Sequence, residues 1–256
     1  HAMSRRQRQM CIRDSSRASE RVLNGENLSP GISVLNINNI AYWIGKDGAY
    51  TTAGSPNGTM ADYPIFTGGF IYSDGMLWGA KVKGDGQGDE VRVGGSTYNH
   101  GLKAGRIITD ANGAVLGSDD PVNNHVWRVR KDYASADLTV DAANYYAVGT
   151  GDVTAAQIAV VKNQYEYDWY NWPAAWGAPY HDVNGDGSYD PAVDVPGYPG
   201  ADQTMWTIAN DVPLIVNADG DSIGYQSTAP NLYGADPIGI ELQITLWGYA
   251  CLLYTS

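Results

Sequence analysis

The stretch DVTAAQIAVVKNQYEYDWYNW, Asp152 to Trp172, contains neither Gly nor Pro, in a chain that holds 31 Gly and 12 Pro. Ile158, Val161, Tyr165, Trp169 and Trp172 recur along it at steps of three and four. That spacing gathers them on one face of an α-helix. Asp152 or Thr154 can cap its start. Pro173 ends it, because the proline ring removes a donor and biases the preceding residue away from helical backbone. A helix over Asp152–Asn171 is therefore expected. Its aromatic stripe reads as core packed on a sheet. The other use of such a stripe is sugar stacking, with Trp169, Trp172 and Trp176 as the candidate rings.

The remainder reads as strands and turns. SVLNINNIAYWI gives two strands about a turn at Asn38–Asn39. Pro64–Tyr72 and Met76–Lys83 flank SDG and are expected to pair as a hairpin. Alternation continues over Glu90–Tyr98, and GRIITD and AVLG flank Asn112–Gly113 as a second hairpin. HVWRVR alternates from His125 to Arg130, Thr204–Asn210 is strand-like, and Gly239–Ala250 is one long strand. The fold class expected is mainly β with one long α-helix, about 152–171, packed on a sheet in a loop-rich chain. No long internal repeat suggests a solenoid or propeller.

The two ends match nothing between them. MCIRDS, Met10 to Ser15, back-translates to the mosaic end used in transposase-based sequencing libraries, and CLLYTS, Cys251 to Ser256, to its reverse complement. RRQRQ, Arg5 to Gln9, matches the adapter upstream of that element. Residues 1–15 and 251–256 are therefore set aside as adapter-like. The gene is then expected to continue at both ends, as in a metagenomic fragment, so a signal peptide upstream and further domains downstream are open. Both cysteines, Cys11 and Cys251, fall in these segments, which leaves no basis for a disulfide. Without Arg5, Arg6, Arg8, Arg13 and Asp14 the formal net charge moves from −12 to −15.

Residues 16–150 read as a β-rich region. Residues 151–250 hold the helix, an acidic loop and C-terminal strands, expected to form one continuous unit with it. Such acidity argues against nucleic acid, whose phosphates require a basic face. No apolar run approaches the ~20 residues that span a bilayer. Tyr and Trp, 18 and 8 against 2 Phe, suit half-buried sheet faces and wet interfaces.

HDVNGDGSYDPAVD carries the strongest chemical signal. Asp182, Asn184 and Asp186 fall at positions one, three and five of a calcium-loop pattern, with Gly187 at six, the Ser188 carbonyl at seven and Asp190 at nine. Calcium takes about six to eight oxygens, which alternate residues of a tight loop can supply. Position twelve is Val193 rather than Glu, with Asp194 next, so this is not a helix–loop–helix sensor. It resembles the calcium loops of dockerins and thrombospondin-type repeats. The expected cofactor is Ca2+, with Asp182, Asn184, Asp186, Ser188, Asp190 and Asp194 as candidate ligands; the alternative is a solvated turn. Asn217, Asp219 and Asp221 form a weaker second candidate, as do Asp85 and Asp89.

No catalytic signature accompanies the loop. There is no G-x-S-x-G elbow, H-E-x-x-H or phosphate loop. His100, His125 and His181 are scattered, and His125 on its alternating strand reads as structural. Paired carboxylates for glycoside hydrolysis are too plentiful in so acidic a chain to single out.

Between Tyr165 and Tyr249 lie Trp172–Pro173, Gly177 to Pro179, the Asp182–Asp190 loop, Gly200 to Gln203, Trp206, Asn210–Asp211 and Pro237 to Glu241. In this run of motifs the chain resembles the N-terminal part of large secreted bacterial proteins that often end in a type IX secretion sorting domain. The resemblance implies an exported protein with further β domains and supplies no catalytic residues. The combined expectation is a fragment of a secreted or cell-surface calcium-binding protein, structural or adhesive, with polysaccharide or cell-surface components as partners. The alternative is part of a secreted hydrolase acting on polysaccharide.

Overall fold

The computed structural model describes residues 31–48, 55, 57–83, 89–97, 101–109, 115–116, 125–212, 214–216, 222–225 and 236–250. The adapter-like ends lie outside them, as do Asp85, His100, Asn217, Asp219 and Asp221. In chain order the first strands are β1 (Ile32–Leu35), β2 (Ala41–Gly45), β3 (Ala61–Asp62), β4 (Gly69–Ile71), β5 (Leu77–Lys83) and β6 (Asp89–Gly95). There follow β7 (Lys103–Ala104), β8 (Ile108–Thr109), β9 (Val115–Leu116) and β10 (Trp127–Arg130). Helices α1 (Thr139–Tyr146) and α2 (Ala155–Tyr170) come next. The remaining strands are β11 (Tyr180–His181), β12 (Val195–Pro196), β13 (Gln203–Asn210), β14 (Leu214–Val216), β15 (Ser222–Tyr225) and β16 (Glu241–Gly248). The chain is mainly β, as its alternating segments imply.

Strand β13 organises the molecule. It lies between β10 and β16, both antiparallel to it, and its far end also pairs with β7. All eight of its residues are buried. The period of two explains how. Trp206 and Ile208 point to one face, where they join Trp127, Val129, Trp172 and Ala178. Met205 points to the other and packs with Ile44 and Val126. Each such apolar side chain contributes roughly 1.5–3 kcal/mol by leaving water. On this second face a four-stranded sheet, ordered β1-β2-β3-β4, adds a further core of Val34, Ala41 and Trp43.

Helix α2 begins and ends as its sequence requires. Thr154 accepts the Gln157 N–H while the Gln157 side chain caps the Thr154 N–H, a capping box. Asp152 lies outside the helix, in a short 3-10 turn over Thr150–Asp152. Val161, Tyr165 and Asp168 form its buried face. Val161 and Tyr165 pack on Leu138 and Ala142, which ties α2 to α1. Against β10, Tyr167 stacks on Trp127 with ring centroids 6.1 Å apart.

The expected pairing of Pro64–Tyr72 with Met76–Lys83 is not formed. β4 pairs with β3, and β5 pairs with β6 along its whole length. A Cβ on Gly69 would stand 2.1 Å from the Thr59 side chain. This close approach, possible only for glycine, binds β4 to the segment before it. Ser73 of the SDG turn and Met76 just after it bond to Thr97 and Ser96, so the chain enters the β5–β6 hairpin instead. The β1–β2 pairing about Asn38–Asn39 and the β8–β9 pairing follow the sequence reading.

Candidate functional site

The acidic loop is held shut at its base. β11 and β12 pair through Tyr180–Pro196 and His181–Val195. Between them the backbone winds around carboxylates. Asp182 accepts the N–H groups of Gly185 at 2.6 Å and Gly187 at 2.8 Å. Both glycines have left-handed backbone, φ +74° and +78°, which the turn around Asp182 demands. Asn184 accepts the Asp186 N–H at 3.1 Å, and Asp186 accepts the Ser188 N–H at 2.8 Å. The Gly187 and Gly185 N–H groups hold the Asp182 carboxyl below the usual carboxylate range, Gly187 most strongly.

Asp194 has a different position from the other candidate ligands. It is buried, and its two oxygens accept the Val183 N–H at 2.9 Å and the Asp190 N–H at 2.8 Å. It clasps the two sides of the loop from inside, while Asn184, Asp186, Ser188 and Asp190 are exposed. The loop is also tied to α2. Tyr189 donates its hydroxyl to the Trp169 carbonyl, and Trp169 donates to the Pro191 carbonyl at 3.2 Å. Burial, with Asp194 and Asp190 beside it, pushes the Tyr189 phenol up. Among the described residues no three His, Cys, Asp or Glu side chains stand close enough together to hold a metal. Each Asp182 oxygen takes one N–H and keeps a second lone pair, so the loop still offers acceptors.

A second polar centre, not foreseen from sequence, lies between the two larger sheets. Asp141 of α1 is buried and accepts from Arg128 at 2.6 Å, Arg130 at 2.7 Å and the Tyr165 hydroxyl at 2.6 Å. Gln203 of β13 donates to Tyr165 at 2.8 Å and accepts the Asn36 N–H at 2.8 Å. Asn36 in turn accepts from Arg128 at 2.6 Å and donates to Asn144 at 2.8 Å. These bonds let charged groups sit in the core, since a buried charge is tolerated when paired and hydrogen-bonded.

Next to this network stands a His–Asp pair. Asp168 is fully buried and takes three donors: His125 Nε2 at 2.7 Å, Gln164 at 2.9 Å and the Arg128 backbone N–H at 2.8 Å. Burial pushes its carboxyl above the ordinary value, and the bond from His125 pulls it back. The pair borders a cavity of about 240 Å3 between β1, the start of β10 and α2. The signal for Asp168 was present in the sequence: it falls on the helical face of Val161, Tyr165 and Trp172 at steps of four and three. A lone carboxylate on an apolar stripe implies a buried partner.

The remaining candidates are dispersed. Trp172 is 4% exposed, lies in the core and donates to the Pro179 carbonyl at 2.8 Å, so it offers no ring face to a glycan. Trp169 is half-buried against Tyr133, and Trp176 is half-buried beneath Arg106, 3.5 Å from its ring centre. Asp89 of β6 pairs with Lys81 at 2.6 Å. His181 is exposed beside Asp182. No helix among the described residues is long and apolar enough to cross a membrane. No model of a known protein family, no curated protein and no solved structure matches the chain.

Proposed function

We propose that the chain is a structural or adhesive module of an exported surface protein, and that calcium staples its loop from Asp182 to Asp194. The carrying observation is the Asp182–Gly187 turn, in which two left-handed glycines wrap the backbone around one carboxylate. Asp182, Asn184, Asp186 and Asp190, with the Ser188 carbonyl, are the hard oxygen donors that calcium selects, and binding would draw together carboxylates that stand apart without the ion. Those side chains sit on one short exposed turn, so a divalent ion offsets their mutual repulsion. The buried Asp194 stays with its two N–H donors and holds the frame. Export is supported by the resemblance of residues 165–249 to secreted bacterial proteins.

The rival reading as a polysaccharide hydrolase needs two facing carboxylates about 5–10 Å apart. Of the described residues lining the His125 cavity, Asp168 is the one carboxylate. A wider groove is bordered by both Asp137 and Asp141, but both oxygens of Asp141 are already committed to Arg128, Arg130 and Tyr165.

Thermal unfolding of the full chain with added calcium and with chelator tests the proposal. A ligand that binds only the folded state raises Tm with its concentration. The expected result is a calcium-dependent rise, reversed by chelation and absent in Asp182→Ala. Identical melting with calcium and with chelator would sink the reading.

A further inference from the structure

We propose that the free edge of β16 pairs with the same edge of a second copy of this chain, giving an antiparallel dimer with one continuous sheet through both copies. Strand β16 ends the order β10-β13-β16. In an antiparallel pair alternate residues bond across, and the others turn their N–H and C=O groups away. The Asp211 N–H donates to the Ile240 carbonyl at 3.2 Å, one pair beyond Asn210–Glu241 in the same register. That sets the phase: Leu242, Ile244 and Leu246 bond inward, opposite Ala209, Thr207 and Met205. β13 uses its alternate residues on its other side, where Ile208 accepts from Gly105 and Asp202 from Lys131. Glu241, Gln243, Thr245 and Trp247 therefore point their backbone groups out of the sheet edge, and none of these groups has a strand partner among the described residues.

The two edges of this sheet differ. At the β10 edge the outward N–H of Arg128 donates to the buried Asp168 carboxylate at 2.8 Å, and α2 packs alongside. The β16 edge carries no comparable cap. Its sequence ELQITLWG holds no Pro and no Lys, and its register with β13 runs without a bulge. Those are the devices that keep an edge strand from pairing.

A second copy is the occupant this strand fits. Outward groups meet outward groups when a two-fold axis passes at Ile244. Gln243 then pairs with the partner's Thr245, and Glu241 with the partner's Trp247. On the face shared with Met205, Leu242 falls opposite the partner's Leu246 and Ile244 opposite the partner's Ile244. Apolar cross-strand pairs of this kind stabilise a sheet, and like charges directly opposite would weaken it. Glu241 is the one charge on the strand, and it does not meet its own copy. The net charge of −12 lies elsewhere on each chain and is screened beyond about 8 Å at physiological salt. The contact is isologous, so it closes at two copies.

The test is sedimentation velocity of the full chain over a range of concentrations, in physiological salt. A reductant keeps Cys11 and Cys251 from linking copies. The average mass is expected to rise from one chain to two and no further. Thr245→Pro deletes an outward N–H and no bond to β13, which an edge strand tolerates. It is expected to stay at one chain mass throughout. Should that variant not fold, Thr245→Lys, which sets a lysine diagonal to its own copy, is expected to do the same. Hydrogen exchange locates the contact. The amides of Gln243, Thr245 and Trp247 should gain protection only as the dimer forms, while those of Leu242, Ile244 and Leu246 are protected at every concentration. A single chain mass throughout overturns the proposal. So does a dimer whose outward amides stay unprotected, since it uses another surface, and so does protection of those amides in the monomer. Calcium takes no part in the contact, so the outcome leaves the reading of the acidic loop where it stands.

Discussion

Tyr165 shows how much depends on one hydroxyl in this core. It is 1% exposed, donates to Asp141 and accepts from Gln203, and the Arg128 guanidinium stacks 4.6 Å from its ring centre. Burial pushes its phenol well above the ordinary range, so it remains a neutral donor. Tyr165→Phe keeps the ring but leaves Asp141 and Gln203 each short of a partner. A loss of about 1–3 kcal/mol in denaturant unfolding is expected. Asp132 at the rim behaves differently. The Arg130 guanidinium, 2.7 Å away, holds its carboxyl below the ordinary 3.8. Because the folded value is depressed, the stabilisation is complete above 3.8 and is lost as pH falls through the lower folded value. At 55% exposure the pair is screened and contributes less than about 1 kcal/mol. The Tm of wild type should exceed that of Asp132→Asn slightly at neutral pH, and the two pH profiles should converge in acid. Tyr165 was legible as core from its helical spacing. Its polar partners were not, because Asn36, Asp141 and Gln203 are distant in sequence and no local pattern joins them.

Among the elements, α2 was the most legible. Its face, its Thr154 start and its stop at Pro173 are all local signals. Thr154→Ala removes the side-chain acceptor of the capping box and should cost about 1 kcal/mol, measured by chemical denaturation. Retained stability would mean that tertiary contacts hold the first turn without the cap. Helix α1 could not be read in the same way. Four successive residues, Asp141 to Asn144, are buried, which erases the three-and-four rhythm on which a helix reading depends. Leu138, the residue that caps its start, makes no side-chain hydrogen bond, and Ala147 ends it in left-handed backbone without a glycine. β10 posed a similar problem. HVWRVR alternates, yet Trp127, Arg128 and Val129 are all buried, because α2 and the β1–β2 layer cover the face that alternation assigns to solvent. The β3–β4 and β5–β6 pairings depend on contacts outside the turns, so turn chemistry alone pointed to the wrong partner.

At the scale of the whole molecule the sheets differ sharply in burial. β13 is paired on both sides and covered on both faces, by the Trp172 layer and by Ile44 and Val126. The β5–β6 hairpin is a two-stranded sheet, with Leu77 70% and Val91 72% exposed. A two-stranded ribbon with so little apolar cover has marginal stability of its own. The amides of β13 can reach water only when β10 and β16 separate from it, which dissolves the sheet that links α2 to the β1–β4 layer. Native-state hydrogen exchange should therefore show Gln203–Asn210 opening with the free energy of global unfolding. The amides of Leu77–Lys83 and Asp89–Gly95 should open at lower free energy and respond only weakly to denaturant. Equal protection in both places would mean that the hairpin is held by contacts beyond those described. If calcium staples the acidic loop, its addition should slow exchange in β13, since any opening that disrupts the Trp169–Tyr189 tie must also release the ion. The hairpin amides should not change.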